Sequence, residues 1–149
     1  MNRALLLAGA LAIHACKSQA PRPGAPEISA RETDVRNFIN TYFQSWSSRD
    51  LATYGHTFHP RARIWFTDQG PLEKEPFLQT QRQAHSASLH PLKEVPLSME
   101  VTLKGSLAHV NVYWELDRGT DKVRGYDFFT LVFAEGRWQI LALVFNQES

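Results

Sequence analysis

The chain has 149 residues, of which 43% are hydrophobic and 11% aromatic, so it can bury the core of one domain and is not an intrinsically disordered protein. Its 16 Lys and Arg residues against 15 Asp and Glu residues give a formal net charge of +1. A nearly neutral chain lacks the basic surface that binds nucleic acid, so we expect no nucleic-acid partner. The single cysteine excludes an intramolecular disulfide and a cysteine-rich zinc site.

Residues 1–15 are typical of an export signal. Arg3 precedes an apolar run over residues 4–13, which is too short to span a bilayer but suits the core of a signal peptide. The run ends at Ile13-His14-Ala15-Cys16, which resembles a bacterial lipobox. We therefore expect Cys16 to be acylated and to anchor the protein in the cell envelope, in the outer membrane where the organism has one. The alternative is an ordinary secretory signal with an incidental cysteine.

Residues 16–27 are predicted to form a tether, since Pro21, Pro23, Gly24 and Pro26 disfavour both helix and strand. The domain is then expected over residues 28–149. It begins with a capping-box pattern, Ser29-Ala30-Arg31-Glu32, which predicts the start of a long helix. Apolar residues follow at every third or fourth position, as in one face of a helix: Val35, Phe38, Ile39, Tyr42, Phe43 and Trp46.

Short helices are predicted over residues 51–58 and 76–86, with a strand over residues 61–67 between them. After them the chain alternates apolar and polar residues, which predicts strands over 99–103, 108–116, 126–133 and 138–145. Turns are expected at Gly105-Ser106 and Glu135-Gly136.

Counting outward from Glu135-Gly136 pairs Phe133 with Trp138 and places Asp127 opposite Val144, on the same face. The other face of this hairpin is also apolar, so we expect a second copy of the chain to cover it in a homodimer. Substituting Leu143 by arginine would then give monomers. The residues predicted for that outer face are Phe128, Val132, Leu141, Leu143 and Phe145.

Three segments carry a resemblance to a known superfamily. They read VRNFINTYFQSWSSRDL at residues 35–51, YGHTFHPRARIWF at 54–66 and YDFFTLVFAEGRWQILALVF at 126–145. In this order they resemble the SnoaL-like and putative lumazine-binding branches of the NTF2-like superfamily. The resemblance implies an α+β cone, in which three helices of the N-terminal half pack on a strongly curved, mixed, mainly antiparallel sheet around a pocket. It implies no single activity, because one fold hosts isomerases, dehydratases and binding proteins.

Asp127 lies inside a predicted strand, on the same face as Trp138 and Ile140, and is the first candidate for chemistry. In an aromatic pocket its pKa would rise, and it could act as an acid or base. Isomerases of the superfamily use a helix-1 tyrosine with strand carboxylates, so the resemblance adds Tyr42, although we identify no second strand carboxylate. His85 is the third catalytic candidate. The alternative for Asp127 is a strand end, where Arg124 would hold it ionised.

Aromatic residues are the candidates for ligand binding, because flat rings offer large contact areas to small organic molecules. Ordinary core packing is the alternative for each of them. His56, His59, His85 and His90 do not have the spacing of a known metal site, and we expect neither a metal nor a cofactor. The predicted ligand-binding set is Tyr42, Trp46, Phe58, Trp65, Trp114 and Asp127.

These observations predict a membrane-tethered, non-catalytic module of the cell envelope that binds a small apolar or aromatic molecule or a partner protein. The main alternative is an isomerase, dehydratase or hydrolase that uses Asp127. A third is an assembly module with a filled cone.

Overall fold

A computed structural model describes residues 25–67 and 70–148 of the chain, with side chains from residue 31 onward. It contains the helices α1 (Ala25–Ser47), α2 (Leu51–His56) and α3 (Lys74–Ala87). The strands are β1 (Phe58–Phe66), β2 (Leu72–Glu73), β3 (Lys93–Lys104), β4 (Leu107–Asp117), β5 (Lys122–Ala134) and β6 (Arg137–Gln147). The predicted α+β fold, with three helices in the N-terminal half, is confirmed.

The six strands form one mixed sheet in the order β2-β1-β6-β5-β4-β3, and the sheet does not close. β1 runs parallel to β6, while every other neighbouring pair is antiparallel. The strands β3 to β6 form a continuous meander, and β6 brings the end of the chain back beside β1. We call the face that packs against the helices the inner face and the opposite one the outer face.

Helix α1 begins at Ala25, earlier than the capping box at Ser29 predicts, so the last residues of the expected tether are helical. Pro26 is compatible with this, because a proline in the first turn lacks an N–H that would have no acceptor within the helix anyway. The predicted apolar face packs inward, and Val35, Ile39 and Phe43 are almost completely buried.

An aromatic cluster packs between the helices and the sheet. The ring of Tyr42 on α1 lies 5.1 Å from that of Phe129 on β5, and Phe58 lies 5.5 Å from Phe77 on α3. Tyr54 on α2 joins the cluster at 5.3 Å from Phe58. Edge-to-face contacts of this kind stabilise a core beyond the burial of its area. The cluster therefore fixes all three helices against the sheet.

The pairing of β5 with β6 departs from the predicted register. Phe133 pairs with Trp138 and Leu131 pairs with Ile140, as expected. Thr130 then pairs with Ala142, because Leu141 of β6 is an extra residue in a bulge. Asp127 therefore lies opposite Phe145 instead of Val144. Pairing the two strands residue by residue outward from the turn predicted the wrong register. One extra residue in a strand moves every later position of that strand to the opposite face of the sheet.

The bulge also corrects the predicted outer face. Leu143 is completely buried on the inner face, and Phe145 packs against the core beside it. Val144, which the predicted register placed on the same face as Asp127, instead lies on the outer face and is 38% exposed. Substituting Leu143 by arginine would therefore disrupt the core instead of testing a dimer.

Candidate functional site

A cavity of about 490 Å³ lies between the three helices and the inner face of the sheet. This volume falls within the range typical of sites for small organic ligands. Its exposed lining residues, Thr67, Asn146 and Gln147, mark the open end, whereas Tyr42, Tyr54 and Asp127 line it and are buried. The cone is thus filled on one side and open on the other.

Asp127 is 3% exposed and lines the cavity from β5. Its Oδ1 accepts a hydrogen bond of 2.8 Å from the indole N–H of Trp114 on β4. Desolvation raises the pKa of Asp127 to about 7, although the Trp114 hydrogen bond opposes the shift. The predicted alternative, in which Arg124 holds Asp127 ionised, is wrong, because Arg124 pairs with Glu115 on the outer face.

Gly125 allows Trp114 to reach this position. It lies directly opposite Trp114 in the β4–β5 ladder, and a Cβ atom there would collide with the indole ring and with the backbone oxygen of Asn146. A side chain at residue 125 would therefore displace the donor from Asp127.

Glu94 on β3 is a second strand carboxylate, which the sequence pattern does not predict. It lines the same cavity, and burial together with the charge of Asp127 raises its pKa well above the ordinary value. Its backbone is fixed to α1, since the Ser47 hydroxyl donates to the Glu94 oxygen at 2.9 Å and accepts from the Glu94 N–H at 2.8 Å. Two carboxyl groups that share a site cannot both ionise easily, so the pair retains a proton near neutral pH.

A bulge explains why Glu94 was missed. Alternation back from Met99 places residue 94 on the outer face, but an irregularity between Pro96 and Ser98 shifts the pairing. Pro96 then lies opposite Trp114, and Glu94 lies opposite Leu116, both on the inner face. Only the pairing with β4 reveals this change of face.

Two tyrosines complete the buried end of the cavity. The Tyr54 hydroxyl donates to the Tyr42 hydroxyl at 3.1 Å. Desolvation raises the pKa of both tyrosines well above the ordinary value, and the charges of Asp127 and Glu94 add to the shift. Both phenols are therefore neutral hydrogen-bond donors beside the two carboxyl groups. Tyr42 was predicted here, whereas Tyr54, on a helix of six residues, was not.

Trp46 and Gln81 form the wall between α1 and α3. The indole N–H of Trp46 donates to Gln81 Oε1 at 2.8 Å, and both residues line the cavity. His85, the third catalytic candidate, is buried with its ring 4.5 Å from that of Trp46 but does not line the cavity. Desolvation lowers the pKa of His85 and keeps its ring neutral. It supports Trp46 instead of facing a ligand.

The structure brings together four of the six predicted ligand-binding residues, namely Tyr42, Trp46, Trp114 and Asp127. Phe58 is completely buried inside the aromatic cluster. Trp65 is 46% exposed, because alternation along β1 turns its neighbours Ile64 and Phe66 inward and Trp65 outward. Neither of these two lines the cavity.

The charged side chains that line the cavity are acidic. Of the described residues that line it, two are acids and none is Lys, Arg or His. The remaining polar groups are phenols, indole N–H groups, amides and one hydroxyl. A cavity of this kind accepts hydrogen-bonding or cationic groups and disfavours anions.

No group of three or more His, Cys, Asp or Glu side chains that could hold a metal ion occurs within residues 31–67 and 70–148. Nor do the described helices include one long and apolar enough to cross a membrane. The expected signal peptide, Cys16 and most of the tether lie outside the described residues.

Comparisons with known proteins agree with this fold. The model of a family described as "Putative lumazine-binding" matches residues 30–146. A comparison with curated proteins gives no match.

Several solved structures share the architecture. An NTF2-like protein of unknown function from Pseudomonas putida has a TM-score of 0.73 at 15% identity, over 79% of this chain and 87% of that one. A putative scytalone dehydratase from Novosphingobium aromaticivorans has a TM-score of 0.71 at 9% identity, over 82% and 87%. A protein of unknown function with a cystatin-like fold from Nostoc punctiforme has a TM-score of 0.70 at 12% identity, over 84% and 93%. At these identities the likeness shows the fold alone.

Proposed function

The chain belongs to the putative lumazine-binding family of the NTF2-like superfamily, and on that premise we propose that it is a binding module for a small, flat, largely apolar molecule. The cavity carries this proposal. Its aromatic rings offer contact area to such a ligand, and the buried carboxyl of Asp127 offers a polar group to orient it.

Lumazine, a flat bicyclic compound, and tryptophol, an uncharged indole, are suitable probes. Trp46 and Trp114 line the cavity, so binding of lumazine should quench the intrinsic fluorescence of the protein to saturation. Binding of tryptophol should be detected by calorimetry. Leu116→Trp would fill the cavity and abolish both signals, while Leu107→Trp, on the outer face and 46% exposed in the wild type, would leave them unchanged. If lumazine, tryptophol and charged analogues of the indole all fail to bind the wild type, the proposal is wrong.

The pair Asp127 and Glu94 favours a second candidate, an enzyme that moves a proton. A carboxyl with a pKa of about 7 is suited to act as a base near neutral pH, and the Tyr42 phenol beside it could stabilise a developing oxyanion. The likeness to a dehydratase structure adds no evidence of activity at its low identity.

Proton transfer can be tested on 2-tetralone in D₂O. An enzyme of this kind would exchange the hydrogens next to the ketone faster than buffer does, and both Asp127→Asn and Glu94→Gln would abolish the acceleration. Glu100→Gln removes an exposed acid from the same strand as Glu94 and is the matched control. Exchange at the rate of buffer would contradict catalysis of this reaction and leave binding as the function.

We also propose that the module is tethered to a membrane through a lipid on Cys16. The support is the apolar run ending at Ile13-His14-Ala15-Cys16. Labelled palmitate should enter the wild type but not Cys16→Ser, which should leave the membrane fraction. A wild type that is never labelled and fractionates with soluble proteins would contradict the tether.

A homodimer through the outer face is the third part of the proposal. Trp65, Val144 and Phe128 lie side by side across β1, β6 and β5, and each is more than a third exposed. An isologous contact would cover this row of apolar side chains. Phe128→Arg should therefore convert a dimer into a folded monomer in light scattering, whereas Leu89→Arg, at an exposed loop residue, should not. A wild type that is monomeric at micromolar concentration would exclude the dimer.

A further inference from the structure

We propose that the cavity selects an organic cation, an amine carried on a flat aromatic frame. This inference rests on the proposed binding function and specifies the charge of the ligand. It follows from three features of the cavity: unused carboxylate oxygens, the absence of a basic lining side chain among the described residues, and aromatic walls.

The two acids have hydrogen-bonding capacity that the described part of the protein leaves unused. Trp114 donates to Oδ1 of Asp127, but no described group donates to Oδ2. The carboxyl of Glu94 likewise accepts no hydrogen bond from a described residue, while its backbone is held by Ser47. Desolvating an acid without a partner costs free energy, and an ammonium group in the cavity that both carboxyls line would offset this cost with charge-assisted hydrogen bonds.

The walls of the cavity suit a cation as well as its aromatic frame. Tyr42, Trp46, Tyr54, Phe77 and Trp114 all contribute rings to the lining. The faces of such rings attract ammonium groups, most strongly where water is excluded. An anionic ligand would meet the two acids with no compensating lysine, arginine or histidine among the described lining residues. A neutral ligand would offer the acids hydrogen bonds but no opposite charge.

Three indoles of similar size and different charge test the inference on the full chain. Tryptamine is a cation at neutral pH, tryptophol is neutral and indole-3-acetate is an anion. By calorimetry at pH 7.5 tryptamine should bind at least about tenfold more tightly than tryptophol, as one charge-assisted hydrogen bond would give, and indole-3-acetate should not bind.

The pH dependence gives an independent readout that needs no variant. A bound cation favours the ionised carboxylates, so tryptamine affinity should rise from pH 6 to pH 8 through the pKa of Asp127, about 7. Tryptophol affinity should stay constant or fall. Among the described residues, the other titratable groups that line the cavity with Asp127 are Glu94 on β3, Tyr42 on α1 and Tyr54 on α2, and both tyrosines stay neutral in this range. The lining residues of α3, β1, β4 and β6 do not titrate.

Substitutions of the two acids test whether their negative charge causes the preference for a cation. Glu94→Gln and Asp127→Asn should each weaken tryptamine binding about tenfold or more and change tryptophol binding less than about threefold, because only the cation uses the negative charge. Glu100→Gln, which removes an exposed acid from the same strand, should change neither.

The outcomes separate the two proposals. Tryptophol bound as tightly as tryptamine, or tryptamine affinity independent of pH, would overturn the cation inference and leave the binding function standing. Failure of all three indoles and of lumazine to bind would overturn both.

Discussion

The two faces of the β4–β5 hairpin place a carboxyl group in opposite environments. On the outer face Glu115 bonds to Lys122 at 2.8 Å and to Arg124 at 2.9 Å, and hydrogen bonds to these two residues lower its pKa. On the inner face, Asp127 receives one indole hydrogen bond and no ion pair from the described part of the chain, and burial raises its pKa to about 7. Burial and partners, and not the residue type, decide which acid can take part in chemistry.

The largest difference between the faces should appear in neighbouring residues of β5. Phe129 is 2% exposed and Phe128 is 45% exposed. Phe129→Ala should lower the free energy of unfolding by about 3–5 kcal/mol, because it leaves a cavity in the core. Phe128→Ala should cost less than about 1 kcal/mol in dilute solution. Denaturant titrations measure both, and a loss that grows with protein concentration for Phe128→Ala alone would support the proposed dimer.

The next effect concerns stability and pH. Because the pKa of Asp127 is about 7 in the folded chain and 3.8 is its ordinary value, the folded state binds more protons between these pH values. The free energy of unfolding should therefore fall as the pH rises from about 4 to 7, by about 1 kcal/mol for each pH unit from Asp127 alone, and Glu94, whose pKa is also raised, should add to the fall.

Asp127→Asn should reduce this slope to the part that comes from Glu94 and should stabilise the protein at pH 8 relative to the wild type. Melting temperatures from pH 5 to 8 test it. An unchanged slope in the variant would show that Asp127 is ionised throughout the range, contrary to its surroundings.

The smallest effect belongs to the outer acid. Glu115→Gln should lower stability slightly, with a pH dependence of the opposite sign: the pKa of Glu115 is lowered, so its contribution is present at neutral pH and lost as the pH falls through that pKa. Since Lys122 and Arg124 are more than half exposed, the contribution should disappear in 1 M salt. Melting curves at low and high salt measure it. An effect of Glu115→Gln that salt does not change would contradict a screened surface interaction.

The sequence by itself determined most of the helices and strands and the neighbours that share a strand face with Asp127. The three- and four-residue spacing from Val35 to Trp46 and the two-residue alternation of the strands are local properties, because each follows from the period of the backbone. Alternation within β5 also places Asp127 on the face of Phe129 and Leu131, since β5 itself carries no extra residue. Turn residues supported the hairpins, and Glu135 and Gly136 do adopt positive φ angles.

Tertiary structure alone decided the composition of the site. Bulges in β3 and β6 exchanged the faces of Glu94, Leu143 and Phe145, and a bulge appears only where two strands are paired. Tyr54 and Gln81 joined the cavity through the packing of α2 and α3, which periodicity does not specify. The pKa of Asp127 likewise depends on desolvation and on Trp114, which comes from the neighbouring strand. Local patterns set which way a residue points along its own strand, while long-range pairing sets what it meets there.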